Sequence, residues 1–235
     1  MSKVFVSWSG GKESSLAFHK AKLDGLTPSY LLNMITQDGS RSRTHGLARG
    51  VLSLQAEAIG IPLIQRKTGW ESYEDNFKKV VLQLKERGIE GGVFGDIDLQ
   101  EHRTWVKRVC KEISIRPYLP LWGKQQKEIL EDFINSGFQA IVVAVKIEFL
   151  GKKWLGRKID GRFVKDITTL ENITPCGEAG EYHTLVIDGP IFKKRIIILE
   201  TKTHQREEQR LLDISRCILE DKAGRQRMKE YLGRP

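Results

Sequence analysis

The stretch VSWSGGKESS, residues 6–15, decides how the chain is read. On one side Val4, Phe5 and Val6 make an apolar strand. On the other, Leu16, Ala17, His19 and Ala21 mark a helix, with Gly25 as its stop. The turn between them carries Ser9, Gly10, Gly11, Lys12, Glu13 and Ser14. Backbone N–H groups at a helix start attract anions through hydrogen bonds and the helix dipole. Glycines let the backbone approach such a ligand closely. Lys12 adds a positive charge, and Ser9 and Ser14 add hydroxyl donors. A plain Gly-Gly helix cap would use the same letters, but the position, after a first strand and before a first helix, favours phosphate. The turn is not a Walker A motif, which needs a glycine where Val6 stands and Ser or Thr where Glu13 stands. Nor is it G-x-G-x-x-G, because Gly10 and Gly11 are adjacent.

Outward from this turn, strand and helix signals alternate. Strands are predicted at 3–7, 29–36, 62–66, 92–95 and 118–121. Helices are predicted at 13–24, 47–59, 71–87, 99–113 and 124–136. In the helix over 71–87, Tyr73, Phe77, Val80, Val81 and Leu84 fall on one face, and Gly88 follows as a stop. Such repetition implies an α/β fold: a Rossmann-like parallel sheet with helices on both faces. Ligands of such sheets collect at the carboxyl ends of the strands, where residues 8–12 and 95–98 would lie. At RPYLPLWGK, residues 116–124, prolines and a glycine break the rhythm. Beyond come a strand at 138–146, the basic segment LGKKWLGRKIDGR, a helix at 162–171 and strands at 181–188, 191–201 and 207–219. The expected organisation is one domain over 1–122 and a smaller α+β C-terminal domain over 123–235.

The 235 residues carry a net charge of +9 and 40% hydrophobic residues, enough for a real core. No apolar run approaches a membrane span, so no membrane partner is expected. The basic excess is spread over both halves without a basic tail; ATP, nucleic acid and an acidic protein would all suit it. The chain enters a strand almost at once, so a cytoplasmic protein without a signal peptide is expected. Cys110, Cys176 and Cys217 are odd in number and widely spaced, which fits reduced thiols. There is no C-x-x-C pair, which argues against a structural zinc site.

A second unusual stretch is TPCGEAGEYHTLVIDGPIF, residues 174–192. Gly177 and Gly180 bracket Glu178, and Glu181 and His183 are two apart on a predicted strand, so they share a face. Two carboxylates, an imidazole and Thr184 could hold a cation or a polar substrate. Spacing alone favours a plainer reading, a glycine-rich turn leading into an ordinary strand and then a turn at DGP.

SGGKES resembles the SGGKDS-type PP-loop of the N-type ATP pyrophosphatases, with Glu13 where those proteins usually carry Asp. The stretch from 174 resembles the C-terminal G-E-x-G-E-(F/Y)-H-T signature of the diphthine–ammonia ligase family, followed by a D-G-P turn. FGDI at 94–97, PLW at 120–122, GFQAIVVAVK at 137–146 and WLGR at 154–157 agree, so the resemblance runs through nearly the whole chain. It departs at Lys107, near where the family often has an acidic residue.

The resemblance implies an adenine nucleotide alpha-hydrolase-like fold and an AMP-forming ligase. That family amidates diphthine, a modified histidine of translation elongation factor 2, with ATP and ammonium, through an adenylated carboxylate. ATP and Mg2+ are the implied cofactors. Ser7, Ser9, Gly10, Gly11, Lys12, Glu13, Ser14, Met34, Gly95 and Asp96 are the implied nucleotide-binding residues. Asp96 is the candidate for magnesium or a bound water, or else a helix-capping residue. Lys12, Asp96, Glu178, Glu181 and His183 are the expected catalytic groups. Trp154, Arg157, Glu178, Gly180, Glu181, His183 and Thr184 are expected on the acceptor side, Trp154 and Arg157 lying in a segment that could equally be an exposed basic stretch. No glutaminase signature accompanies them, so free ammonium is the expected nitrogen donor. The elongation factor is the expected partner, nucleic acid is not, and a homo-oligomer stays open. The alternatives are an enzyme of the same ATP chemistry acting on tRNA or a small molecule, and a non-catalytic nucleotide-binding protein.

Overall fold

A computed structural model describes residues 1–222 and 230–232. By contact the chain falls into two compact units. The first comprises residues 1–9, 13–44 and 61–124; the second comprises 10–12, 45–60 and 125–235. The glycines of the first turn and the segment 45–60 therefore group with C-terminal residues, not with the rest of the 1–122 segment.

The first unit is built on a parallel sheet. Its strands are β1 (Lys3–Ser7), β2 (Thr27–Ile35), β3 (Leu63–Lys67), β4 (Gly91–Val93) and β5 (Arg116–Tyr118). Their order is β3-β2-β1-β4-β5, all neighbours parallel. The strand order reverses between β1 and β4, which places the loops after Ser7 and Val93 at the switch point of the sheet. The helices α1 (Lys12–Leu23), α2 (Arg49–Ile59), α3 (Tyr73–Glu86) and α4 (Gln100–Glu112) alternate with the strands. The apolar face of α3 is as predicted: Phe77, Val80, Val81 and Leu84 are buried. They share one core with Phe5, Leu32 and Met34 of the sheet and with Val106, Val109 and Cys110 of α4. Phe5 meets Phe77 and Phe94 edge to face at 6.0 and 5.8 Å, a preferred aromatic geometry. Val4 and Val6, alternating with Phe5, are fully buried on the opposite face of the sheet.

The predicted strand 118–121 is corrected to Arg116–Tyr118. Its one neighbour among the described residues, β4, is three residues long and ends at Val93, paired with Tyr118. Pro117 is tolerated there because β5 is an edge strand.

The second unit contains α2, α5 (Gln126–Asn135), β6 (Gln139–Lys146), α6 (Gly161–Ile167), β7 (Tyr182–Asp188), β8 (Lys194–Arg206), β9 (Gln209–Asp221) and β10 (Glu230–Leu232). The sheet is antiparallel, β9 pairing with β6, β8 and β10 and β6 with β7. The helix predicted over 162–171 ends at Ile167. The Thr168 and Thr169 hydroxyls donate back to Val164 O and Asp166 O, both at 2.8 Å, and close its last turn. Asp160 caps its start by accepting from Phe163 N at 2.9 Å. Lys193 N donates to Ala58 O at 2.8 Å, tying α2 to the entry of β8.

All three cysteines are buried, and none forms a disulfide among the described residues. Burial pushes the Cys110 and Cys217 thiols up to about 11, so they behave as small apolar side chains. Among the described residues no helix is long and apolar enough to cross a membrane.

Candidate functional site

The glycine turn sits where the sequence puts it, between β1 and α1. Its central residues are anchored within the second unit. Gly10 adopts φ +83, which a side chain rarely tolerates, and a Cβ there would come 2.4 Å from Leu52 Cδ2. The Gly10 carbonyl accepts from Val186 N and from Gln55 Nε2, each at 3.0 Å. The same Gln55 amide, fully buried on α2, also donates to Val186 O at 2.7 Å. A Cβ at Gly11 would come 2.3 Å from His45 Cε1.

Lys12 opens α1, so its N–H is one of the four that lack a partner within the helix. That N–H donates to Thr184 Oγ1 at 3.1 Å. Its side chain is 2% exposed; Nζ donates to the Cys176 carbonyl at 2.6 Å and lies 4.4 Å from the centre of the Tyr182 ring. The two signature stretches, some 170 residues apart, are thus hydrogen-bonded to each other through Lys12.

The segment 174–181 is a self-bonded loop. Gly177 N donates to Thr174 O and Gly180 N to Gly177 O, both at 2.9 Å. Glu178 N donates to Thr174 Oγ1 at 2.7 Å. Glu181 is 1% exposed: Oε1 accepts from Thr174 N at 2.6 Å, while Oε2 has no hydrogen-bond partner among the described residues. Tyr182 OH donates to Pro175 O at 2.6 Å.

His183 stacks on His45, the ring centres 4.5 Å apart and the planes at 28°. His45 Nδ1 lies 3.2 Å from Thr184 O. A carbonyl only accepts, so Nδ1 carries the proton and Nε2 is left as an acceptor. Burial, and then the charge of Lys12, lower the His45 pKa to about 4, so the ring is neutral at pH 7.

Other predicted residues lie in the first unit. Ser7 ends β1, paired with Leu32. Ser9 Oγ and Ser14 Oγ are 3.1 Å apart. A Cβ at Gly95 would come 3.0 Å from the Glu13 carbonyl carbon, so glycine lets the loop after β4 approach α1. Asp96 does not cap α4: the N-cap position is Leu99, and Asp96 Oδ1 lies 3.2 Å from His102 Nδ1. Burial, and then the negative Asp96, push the Tyr73 hydroxyl up to about 12, with Arg43 opposing. The Arg43 guanidinium stacks 4.1 Å over the ring of Trp70, which is 69% exposed. Met34 is a core residue of this unit.

Trp154 is buried and Arg157 only partly exposed. Trp154 meets Phe163 edge to face at 5.5 Å, and Arg157 lies 4.3 Å over its ring while bonding Asp166 at 2.7 Å. Trp154 thus belongs to the core of the second unit, not to an exposed basic stretch. The sequence reading missed His45 and Gln55, which bond Thr184 and Val186 more than 130 residues away, and Arg43, Trp70, Tyr73 and His102.

Two family models match in succession: the diphthamide synthase N-terminal domain over residues 2–117 and the diphthamide synthase C-terminal domain over 125–219. Among curated proteins, a "Diphthine--ammonia ligase" of Schizosaccharomyces pombe is 29% identical over 92% of this chain and 39% of its own length. That of Bos taurus is 30% identical over 66% of each chain, and that of Danio rerio 28% identical over 83% of this chain and 86% of its own. The chain thus spans well under half of the yeast relative and about two thirds of the bovine one. A solved structure described as a predicted subunit of tRNA methyltransferase from Methanocaldococcus jannaschii covers 81% of this chain at 18% identity, with a TM-score of 0.43. With both models matched in order across nearly its full length, the chain belongs to the diphthamide synthase family.

Proposed function

We propose that this chain is an AMP-forming ligase that converts the carboxylate of diphthine on translation elongation factor 2 to the amide of diphthamide, with ATP and ammonium. One observation carries the reading. The glycine turn presents the first N–H of α1 and a lysine, and both are bonded to the segment 174–186.

The chemistry follows from the groups. A carboxylate does not react with ammonia at neutral pH, because its oxygen is a poor leaving group. Its attack on the α-phosphorus of ATP exchanges that oxygen for AMP, with pyrophosphate departing; ammonia then attacks the carbonyl and releases AMP. Ser9, Gly10, Gly11, Lys12 and Ser14 hold the departing pyrophosphate, where hydrogen bonds and the lysine charge count most as negative charge builds up. Ser7, Glu13, Met34 and Gly95 border the nucleotide. The donors fit an anion: N–H groups at a helix start, two hydroxyls and one ammonium.

Mg2+ suits one carboxylate plus phosphate oxygens, and Asp96 is the residue assigned to it. The described residues contain no group of three acidic, His or Cys side chains able to hold a metal, which fits an ion carried by the nucleotide. It would supply charge neutralisation at the phosphates.

Glu178, Gly180, Glu181, His183 and Thr184, together with Trp154 and Arg157, serve the acceptor side. Residues 1–122 carry the nucleotide function and 123–235 acceptor recognition, in the cytoplasm.

The test is incubation with ATP, ammonium and diphthine-bearing elongation factor. AMP and an amidated histidine are expected, and Lys12→Ala should abolish both while keeping the fold. Full turnover in Lys12→Ala removes the glycine turn from the mechanism. AMP released only with tRNA, or nucleotide binding without turnover, refutes the proposed acceptor.

A further inference from the structure

The position of the Lys12 ammonium describes a binding site as well as a side chain. Lys12 is 2% exposed, and its Nζ rests between the Cys176 carbonyl at 2.6 Å and the Tyr182 ring at 4.4 Å. A carbonyl dipole and an aromatic face are chemistry for a weakly hydrated cation. Neither depends on Lys12 for its place. The Cys176 peptide is pinned by Cys176 N donating to Gln126 Oε1 at 2.8 Å and Cys176 Sγ to Gln126 O at 3.2 Å. The Tyr182 ring is fixed by its hydroxyl on Pro175 O and by Phe163, edge to face at 5.4 Å.

We propose that this seat is the binding site of the ammonium substrate, and that Lys12 occupies it until nucleotide arrives. The proposal rests on the function proposed above for its identification of ammonium as the nitrogen source. Lys12 carries the same –NH3+ head group on a flexible four-carbon stem, and it stands on the first turn of a helix whose N-terminus favours anions. A polyphosphate at that turn offers full negative charges to this ammonium. Nζ moves to the phosphates, and the vacated carbonyl and ring accept free ammonium. Nucleotide therefore binds before ammonium, and no seat for the nitrogen donor is open until the group it will attack can be activated.

The experiment is thermal unfolding in ammonium chloride, potassium chloride and sodium chloride at equal ionic strength. Lys12→Ala empties the seat, so its Tm should rise with ammonium concentration and not with sodium. The double variant Lys12→Ala, Tyr182→Leu should lose that rise. Wild type should show no ammonium-specific rise alone and should gain one with α,β-methylene-ATP, which cannot be cleaved between its α and β phosphates. This second arm stands even if Lys12→Ala does not fold. No ammonium response in either arm overturns the proposal, and so does an equal response to potassium, which would make the seat a general monovalent-cation site. The two proposals fail separately. Normal AMP formation without an ammonium response removes the seat alone. An ammonium response in a chain that never forms AMP removes the ligase reading and leaves the cation seat.

Discussion

Thr184 accepts the backbone N–H of Lys12 at 3.1 Å, so the first amide of α1 is capped by a hydroxyl 172 residues further along the chain. Thr184 is fully buried, and Thr184→Val keeps its shape while removing this acceptor. The expected loss is about 1–2 kcal/mol. It should read as a lower urea midpoint at unchanged slope, with Thr184→Ser recovering most of it. An unchanged midpoint in the valine variant would mean that the bond adds nothing to stability.

Glu181 allows loop stability to be separated from chemistry. Glu181→Ala removes the acceptor of Thr174 N and should cost about 1–3 kcal/mol, with faster hydrogen exchange at the Thr174 amide. Glu181→Gln keeps an oxygen for that bond and should retain most of the stability and ATP binding while losing amidation. Unaltered turnover in the glutamine variant would leave Glu181 a purely structural residue.

His45 sets a pH dependence whose sign is fixed. Its pKa falls from 6.5 in the unfolded chain to about 4 in the fold, through burial and the charge of Lys12. The unfolded chain therefore binds the proton more readily between those values. The His45 contribution is complete above pH 6.5 and is lost as pH falls towards 4, at no more than ~1.4 kcal/mol per pH unit. Urea midpoints measured across this window should slope upward with pH, and His45→Gln should flatten the slope. An equal slope in both proteins would place the dependence elsewhere.

Glu74 gathers three donors in the first unit. Oε1 takes Lys78 at 2.6 Å and Arg108 at 2.9 Å, and Oε2 takes Trp105 Nε1 at 2.9 Å. Hydrogen bonds from Arg108, and then from Lys78, lower its pKa from 4.5 to about 2. Its contribution is present above pH 4.5 and is lost as pH falls through 2. The side chain is 30% exposed, so solvent screens the pairs. Glu74→Gln should cost about 1 kcal/mol at low salt and less near ~1 M salt. A cost independent of salt would point to the Trp105 bond instead.

Local pattern made most of the fold legible. The apolar triplet Val4–Val6, the glycine turn and the periodic face of α3 each state their structure within a few residues. The role of Lys12 as the meeting point of both signatures was half visible: its charge is in the sequence, its partner Cys176 is not. Gln55 carries no local signal of its role, because nothing beside it in the sequence announces carbonyls at Gly10 and Val186. Trp154 stands among lysines and arginines and suggested a surface, yet Arg157 covers its face and Phe163 meets its edge. For Asp96 the sequence offers a magnesium or water ligand or a helix cap; α4 starts later, at Gln100, so the cap is not made.

The helix α2 lies in sequence between two strands of the parallel sheet, yet it is fastened to the C-terminal residues by Gln55 on Val186 and by Lys193 on Ala58. A gene cut after residue 124 would strand Val51, Leu52, Leu54 and Ile59 without their covering strands, and such a fragment should aggregate. Neither half can be traded by recombination as a finished module.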